Sequence, residues 1–177
     1  MSDAPLLEVE NLRIDLVGED RRHAAVEGVS FRIGRGETFG LVGESGCGKS
    51  ITALSIMGLL RHPLAIGGGA IRLEGQEIQS LPPGQIRRLR GRKIAMIFQE
   101  PMTALNPLMS VGAQIGEMWR VHLGLDAAET QRRALAALRE VNLPDPEGAL
   151  RAFPHELSGG QRQRVMIAMA LALEPEV

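Results

Sequence analysis

Gly43-Glu44-Ser45-Gly46-Cys47-Gly48-Lys49-Ser50 is the stretch on which the reading of this chain turns. It fits Gly-x-x-x-x-Gly-Lys-Ser/Thr, the phosphate-cradling P-loop. Its flanks fit as well. Thr38-Phe39-Gly40-Leu41-Val42 reads as a short buried strand, and Lys49 to Leu60 as a helix rich in Ile, Leu and Met. Strand, glycine loop and helix together turn a short pattern into a candidate site.

The chemistry follows from the backbone. The first N–H groups of a helix have no intrahelical partner, and the helix dipole favours an anion beside them. Glycines let the chain curl round phosphates without Cβ clashes. Gly43, Glu44, Ser45, Gly46, Cys47, Gly48, Lys49, Ser50 and Ile51 are therefore the expected nucleotide contacts. Lys49 would reach the β and γ phosphates, and the Ser50 hydroxyl would ligate Mg²⁺. Cys47 reads as a small residue tolerated within the loop.

Composition bounds the alternatives. The chain has 177 residues, 44% apolar and 23% charged, enough for one domain with a real core. A net charge of −1 and an aromatic content of 3%, with no Tyr, argue against nucleic acid as a partner. One Cys leaves no internal disulfide framework and no Cys-cluster metal site. Met1-Ser2-Asp3-Ala4-Pro5 does not read as a signal peptide. Val165 to Leu173, the most apolar run, is too short to span a bilayer.

Outward from the loop, Leu12, Ile14 and Leu16 alternate with polar residues, as do Val29, Phe31 and Ile33. Both read as half-buried strands, so an antiparallel layer precedes the P-loop. Asp15 falls on the polar face of its strand and is expected to be solvated. Gly67-Gly68-Gly69 reads as a flexible link, with Ile71 and Leu73 beginning another short strand. Gln85 to Arg92 reads as a basic helical stretch whose arginines form a solvated face. Lys93 to Gln99 is nearly all apolar, as a buried parallel strand would be. Gln99, at its C-terminal end, stands where α/β folds bind ligands, or is a strand-ending Gln in water.

From about Pro101 to Phe153 the patterns are helical. Ser110 caps a helix with Val111, Ile115 and Met118 on its apolar face, and Trp119 beside them. Asp126 with Glu129 starts another in capping-box fashion, carrying Leu135, Leu138 and Val141 and ending at Pro144 and Pro146. Leu157-Ser158-Gly159-Gly160-Gln161 then opens the helix that closes at Pro175. Ser158 is its N-cap and Gln161 completes a capping box. Two glycines in the first turn cost about 1 kcal/mol each relative to Ala. Either an anion approaches their bare backbone, or this is an ordinary capped helix.

Leu157-Ser158-Gly159-Gly160-Gln161 resembles the signature motif of the ATP-binding cassette (ABC) ATPases. The chain from about Leu6 to Val177 is similar to that family. Phe98 to Pro107 and Phe153-Pro154-His155-Glu156-Leu157 resemble its oligopeptide, dipeptide and nickel importer branch. The resemblance implies an α/β P-loop core with an N-terminal antiparallel β layer and a helical subdomain. It divides the chain at 6–99 (β layer and core), 100–157 (helical subdomain) and 158–177 (signature helix). It implies that Gln99 contacts Mg²⁺ and the attacking water, so Gln99 and Ser50 are the expected metal contacts. Ser158, Gly159, Gly160 and Gln161 would form the nucleotide-binding signature, with Ser158 and Gly160 holding the γ-phosphate of an ATP on a second ATPase subunit, joined head to tail. His23 occupies the place of the aromatic that stacks on adenine. It stacks more weakly than Tyr, and a solvated loop His fits as well.

The implied setting is the cytoplasmic face of a bacterial inner membrane, with ATP and Mg²⁺ as cofactors. Membrane permease subunits are the implied partners, with a solute-binding protein acting indirectly. ATP hydrolysis would power import of peptides or nickel. The family's next element is an apolar strand ending in Asp-Glu, followed by a switch histidine. Neither occurs before Val177, and His155 precedes the signature and cannot serve as the switch. This chain alone is therefore expected to hydrolyse ATP near background and to dissolve poorly, with apolar sheet surface uncovered. A clean P-loop-dependent turnover by residues 1–177 would contradict the first expectation. A non-hydrolytic nucleotide-binding or subunit-binding remnant is the alternative. A small-molecule kinase has no need of the signature helix, and the importer-like stretch around Gln99 argues against a DNA-repair member.

Overall fold

The apolar alternation expected around Leu12 and Ile14 builds the first element of the computed structural model, which describes residues 4–18, 22–100 and 104–177. Strand β1 (Leu7–Val17) is the second of four in the order β2-β1-β3-β4. It pairs antiparallel with β2 (Arg22–Ile33) and with β3 (Leu64–Leu73), and β4 is the two-residue Gln76–Glu77. Leu7, Val9, Leu12, Ile14, Ile71 and Leu73 bury one side of this sheet. Each such side chain contributes roughly 1.5–3 kcal/mol on leaving water. On the sheet, Glu8 pairs with Arg32 and Arg72, and Arg72 also bonds Glu10 at 2.8 Å. The Arg72 guanidinium holds the Glu10 carboxyl below the usual carboxylate range.

Two expectations are corrected here. Asp15 is buried, 4% exposed, and its Oδ1 accepts from Arg13 Nε at 2.8 Å. The register sets Asp15 opposite Ala24 and Ala65, whose small side chains leave room for the carboxylate. Gly67 and its neighbours are not a flexible link but part of β3. A Cβ on Gly67 would lie 2.2 Å from Asp15 Oδ2. On Gly69, whose φ is +82°, it would lie 2.4 Å from the Asn11 carbonyl oxygen. These glycines serve close approach within a strand.

Helix α1 (Lys49–Ile56) follows the P-loop and is shorter than expected. Helix α2 (Pro83–Leu89) is the basic stretch. The chain divides into two compact units, one up to Arg87 together with Glu176–Val177, the other Arg88–Pro175.

The second unit is helical. Helix α3 (Val111–Leu123) is capped by Ser110 and buries Val111, Ile115 and Trp119. Helix α4 (Ala127–Glu140) is capped by Asp126, which accepts from Glu129 N–H at 2.9 Å. Glu129 does not reach back to close a box. It bonds Arg132 and Arg133 instead, which pull its pKa down to about 2. Helix α5 (Pro146–Arg151) was not expected. Pro146 ends the preceding helical pattern, and it also stands in the first turn of α5, where its missing N–H costs nothing, while Asp145 Oδ1 accepts from the Gly148 N–H. A 3₁₀ turn (Pro154–Glu156) leads to α6 (Gly159–Leu171). Val111, Ile115, Leu138 and Val165 are fully buried in the core these helices share.

Neither the short buried strand expected at Thr38–Val42 nor the parallel strand expected at Lys93–Gln99 carries a ladder. Thr38–Val42 has no regular structure and no ladder partner among the described residues, and Lys93–Gln99 has only the isolated bridge Arg90↔Ile94 at its start. Parallel strands depend on neighbours brought by crossover connections, and no strand pairs with either segment among the described residues. Val42 is 90% exposed, and Phe39, Leu41, Ile97 and Phe98 are each 40% exposed or more.

Candidate functional site

The P-loop geometry starts at β2. Gly48, buried with φ +95°, is the residue before α1, and a Cβ there would lie 2.6 Å from Val26 Cγ2 and 3.1 Å from the Ala25 carbonyl. Only glycine fits that contact. Gly46 also has a positive φ, +84°. A Cβ on Gly43 would meet Cys47 Sγ at 2.6 Å, so the loop folds its thiol over bare backbone. The remaining loop residues, Glu44, Ser45 and Ser50, are exposed.

Lys49 lies across this loop. Its Nζ donates to the carbonyl oxygens of Gly43 at 2.8 Å and Glu44 at 2.6 Å, and approaches Cys47 Sγ at 3.5 Å. An ammonium so placed can exchange neutral carbonyls for phosphate oxygens, which bind it more strongly. Thr52 and Ser55 bond back to Gly48 and Thr52 carbonyls and are buried. Ser50, in the first turn of α1, has no side-chain partner among the described residues, which leaves its hydroxyl for a ligand. Ile51 is half-buried. This donor set fits a phosphate chain. It also fits a hard cation shared between phosphate oxygens and the Ser50 hydroxyl.

His23 stands exposed near the start of β2, paired with Leu16. Strand β2 carries it to within three residues of Val26, about 10 Å along the strand from the Gly48 contact. Gln99 is exposed and belongs to the second unit.

The signature stretch is also in the second unit. Ser158 Oγ accepts from Gln161 N–H at 3.3 Å, and the Gln161 side-chain carbonyl accepts from Ser158 N–H at 2.8 Å. The expected capping box is therefore present. A Cβ on Gly159 or Gly160 would meet nothing within 4 Å. Neighbouring atoms give no reason for glycine there. Sequence reasoning missed a second lock just upstream. The Glu156 carboxylate accepts from Phe153 N–H at 2.7 Å. The three-residue spacing was legible, but Phe153 has no side-chain acceptor and a search for capping residues passes it over. His155 stacks on Phe153 with ring centroids 5.8 Å apart. No described helix is long and apolar enough to cross a membrane.

Comparisons with known proteins agree with this geometry. The profile of the family described as ABC transporter matches residues 26–177. The chain is 49% identical over 173 residues to a protein of Sinorhizobium fredii named probable peptide ABC transporter ATP-binding protein y4tR. That match covers 97% of this chain and 52% of the relative. It is 43% identical over 172 residues to the dipeptide transport ATP-binding protein DppD of Escherichia coli, covering 97% of this chain and 53% of that one. The chain thus spans about half the length of the curated relatives it matches. Among solved structures it is similar to the dimeric, post-hydrolysis ATP-binding cassette MJ0796 bound to ADP and Pi. That likeness has a TM-score of 0.84 and 27% identity, over 96% of this chain and 70% of the other. With its P-loop, its boxed signature helix and these matches, the chain belongs to the ABC transporter family, with the α/β fold of its ATP-binding cassettes.

Proposed function

We propose that this chain is the nucleotide-binding part of an ATPase that powers peptide import. The observation that carries the reading is the P-loop, with Lys49 laid across Gly43 and Glu44 and the Ser50 hydroxyl left for a ligand. Gly43 to Ile51 bind the phosphates, and His23 stacks on the adenine. Bound Mg²⁺ would neutralise charge building on the phosphate oxygens. Ser50 and Gln99 are the residues to hold it, and Gln99 also orients water. Ser158, Gly159 and Gly160 receive the γ-phosphate from a second, head-to-tail ATPase subunit. Peptide, rather than nickel, is favoured by the names of the relatives. The protein then works at the cytoplasmic face of a bacterial inner membrane, against permease subunits that a solute-binding protein supplies.

The test uses the full-length protein, reconstituted in vesicles with candidate permease subunits and a solute-binding protein. Uptake of labelled di- and oligopeptides should require ATP and Mg²⁺ and stop with a non-hydrolysable analogue. Uptake of Ni²⁺ but not peptide would overturn the substrate. ATP-independent uptake would overturn the energy-coupling role.

A further inference from the structure

Two locks stand back to back in the segment that leads into α6. Glu156 holds the Phe153 amide from one side, and Gln161 holds the Ser158 amide from the other. Only Leu157 lies between them, and its side chain is buried in the helical core. Arg162 Nη1 donates to the Pro154 carbonyl at 3.3 Å and closes the segment on itself. The backbone from Phe153 to Gln161 is thus tied at three points.

The direction of these bonds matters. The signature resemblance places Gln161 among the nucleotide-binding residues. Its side-chain carbonyl is instead engaged by the Ser158 N–H. Ser158 Oγ accepts from the Gln161 N–H, which occupies a lone pair and turns the hydroxyl hydrogen away. That hydrogen has no acceptor among the described residues, so it is available to a phosphate oxygen. Gly159 and Gly160 present open backbone beside it. An amide suits this duty better than a carboxylate would. Both accept from an N–H, but the amide adds no negative charge beside an anion site.

We infer that the Gln161 side chain is a positioning group, holding the Ser158 backbone that carries the hydroxyl rather than contacting the phosphate itself. Glu156 and Arg162 hold the same segment from the upstream side. The inference rests on the signature reading proposed above, and it divides the motif into contacting residues and a holding one.

The test compares Gln161→Ala and Gln161→Glu in the full-length protein by residue-resolved amide exchange and steady-state kinetics. Gln161→Ala removes the acceptor. Exchange at the Ser158 amide should rise about tenfold, and kcat should fall by about the same factor. KM for ATP should stay within about twofold, because the ATP is held first by its own P-loop. Gln161→Glu keeps an acceptor and should restore Ser158 protection. If Gln161→Ala lowers turnover with Ser158 exchange unchanged, Gln161 acts on the ligand and the inference fails. It also fails if exchange rises while turnover does not change, or if Gln161→Glu leaves Ser158 unprotected. The exchange is read without nucleotide. An inactive wild-type protein would therefore sink the proposed function while the lock still stood or fell on its own reading.

Discussion

Replacing Lys49 with alanine should lower ATP turnover of the full-length protein by about a hundred- to a thousandfold, the scale of losing one preorganised charge-stabilising group. The argument begins with its position. Nζ is already drawn across the loop by the Gly43 and Glu44 carbonyls at 2.8 and 2.6 Å. Little reorganisation separates that placement from contact with β and γ phosphate oxygens. Charge grows on those oxygens as the phosphoryl group leaves, so the ammonium is worth more in the transition state than in the bound ground state. The loss should therefore fall mainly on kcat. Arginine at 49 should not rescue it. A planar fork on a longer stem cannot take the place of a compact ammonium held between two carbonyls. The measurement is single-turnover hydrolysis beside nucleotide affinity. Turnover within threefold of wild type would end the assignment of Lys49.

Gly48→Ala should destabilise the first unit and weaken nucleotide binding together. Its φ of +95° is open to glycine and strained for alanine, at about 1–2 kcal/mol. The new Cβ would also meet Val26 Cγ2 at 2.6 Å and the Ala25 carbonyl at 3.1 Å. Overpacking of that kind adds about 1–3 kcal/mol. The two terms give about 2–5 kcal/mol, read as a lower urea midpoint with the slope unchanged. Any relaxation must move α1 away from β2, so nucleotide affinity should fall with stability. Gly46→Ala is the control. It carries a similar φ, but its Cβ would meet nothing within 4 Å, so only the backbone term remains. Equal losses at the two positions would show that contact with β2 does not matter.

What could be read from residues alone was local. The P-loop, the caps at Ser110, Asp126 and Ser158, and the box closed by Gln161 all depend on groups three to seven positions apart. Bond geometry ties such groups whatever the rest of the chain does. The alternation of β2, and of β1 as far as Ile14, was legible in the apolar positions; past the irregularity between Ile14 and Asp15 it breaks, and Leu16 is exposed while Asp15 is buried. Beyond a short helix at Pro146–Arg151, an early end to α1 and an unclosed box at Asp126, the differences concern strand pairing. Asp15 was read as solvated because its strand alternates. Its burial follows from Ala24, Ala65 and Gly67, brought beside it by β2 and β3. The glycines at 67–69 were read as a link because glycine is rare inside strands, and their use appears only against Asn11 and Asp15 across the ladder. Thr38–Val42 and Lys93–Gln99 have strand composition but no strand partner among the described residues. The sequence by itself therefore determined the phosphate loop, the capped signature helix and the family. The folded chain settled which polar groups are buried and which extended segments are paired, because a sheet hydrogen bond joins residues far apart in sequence.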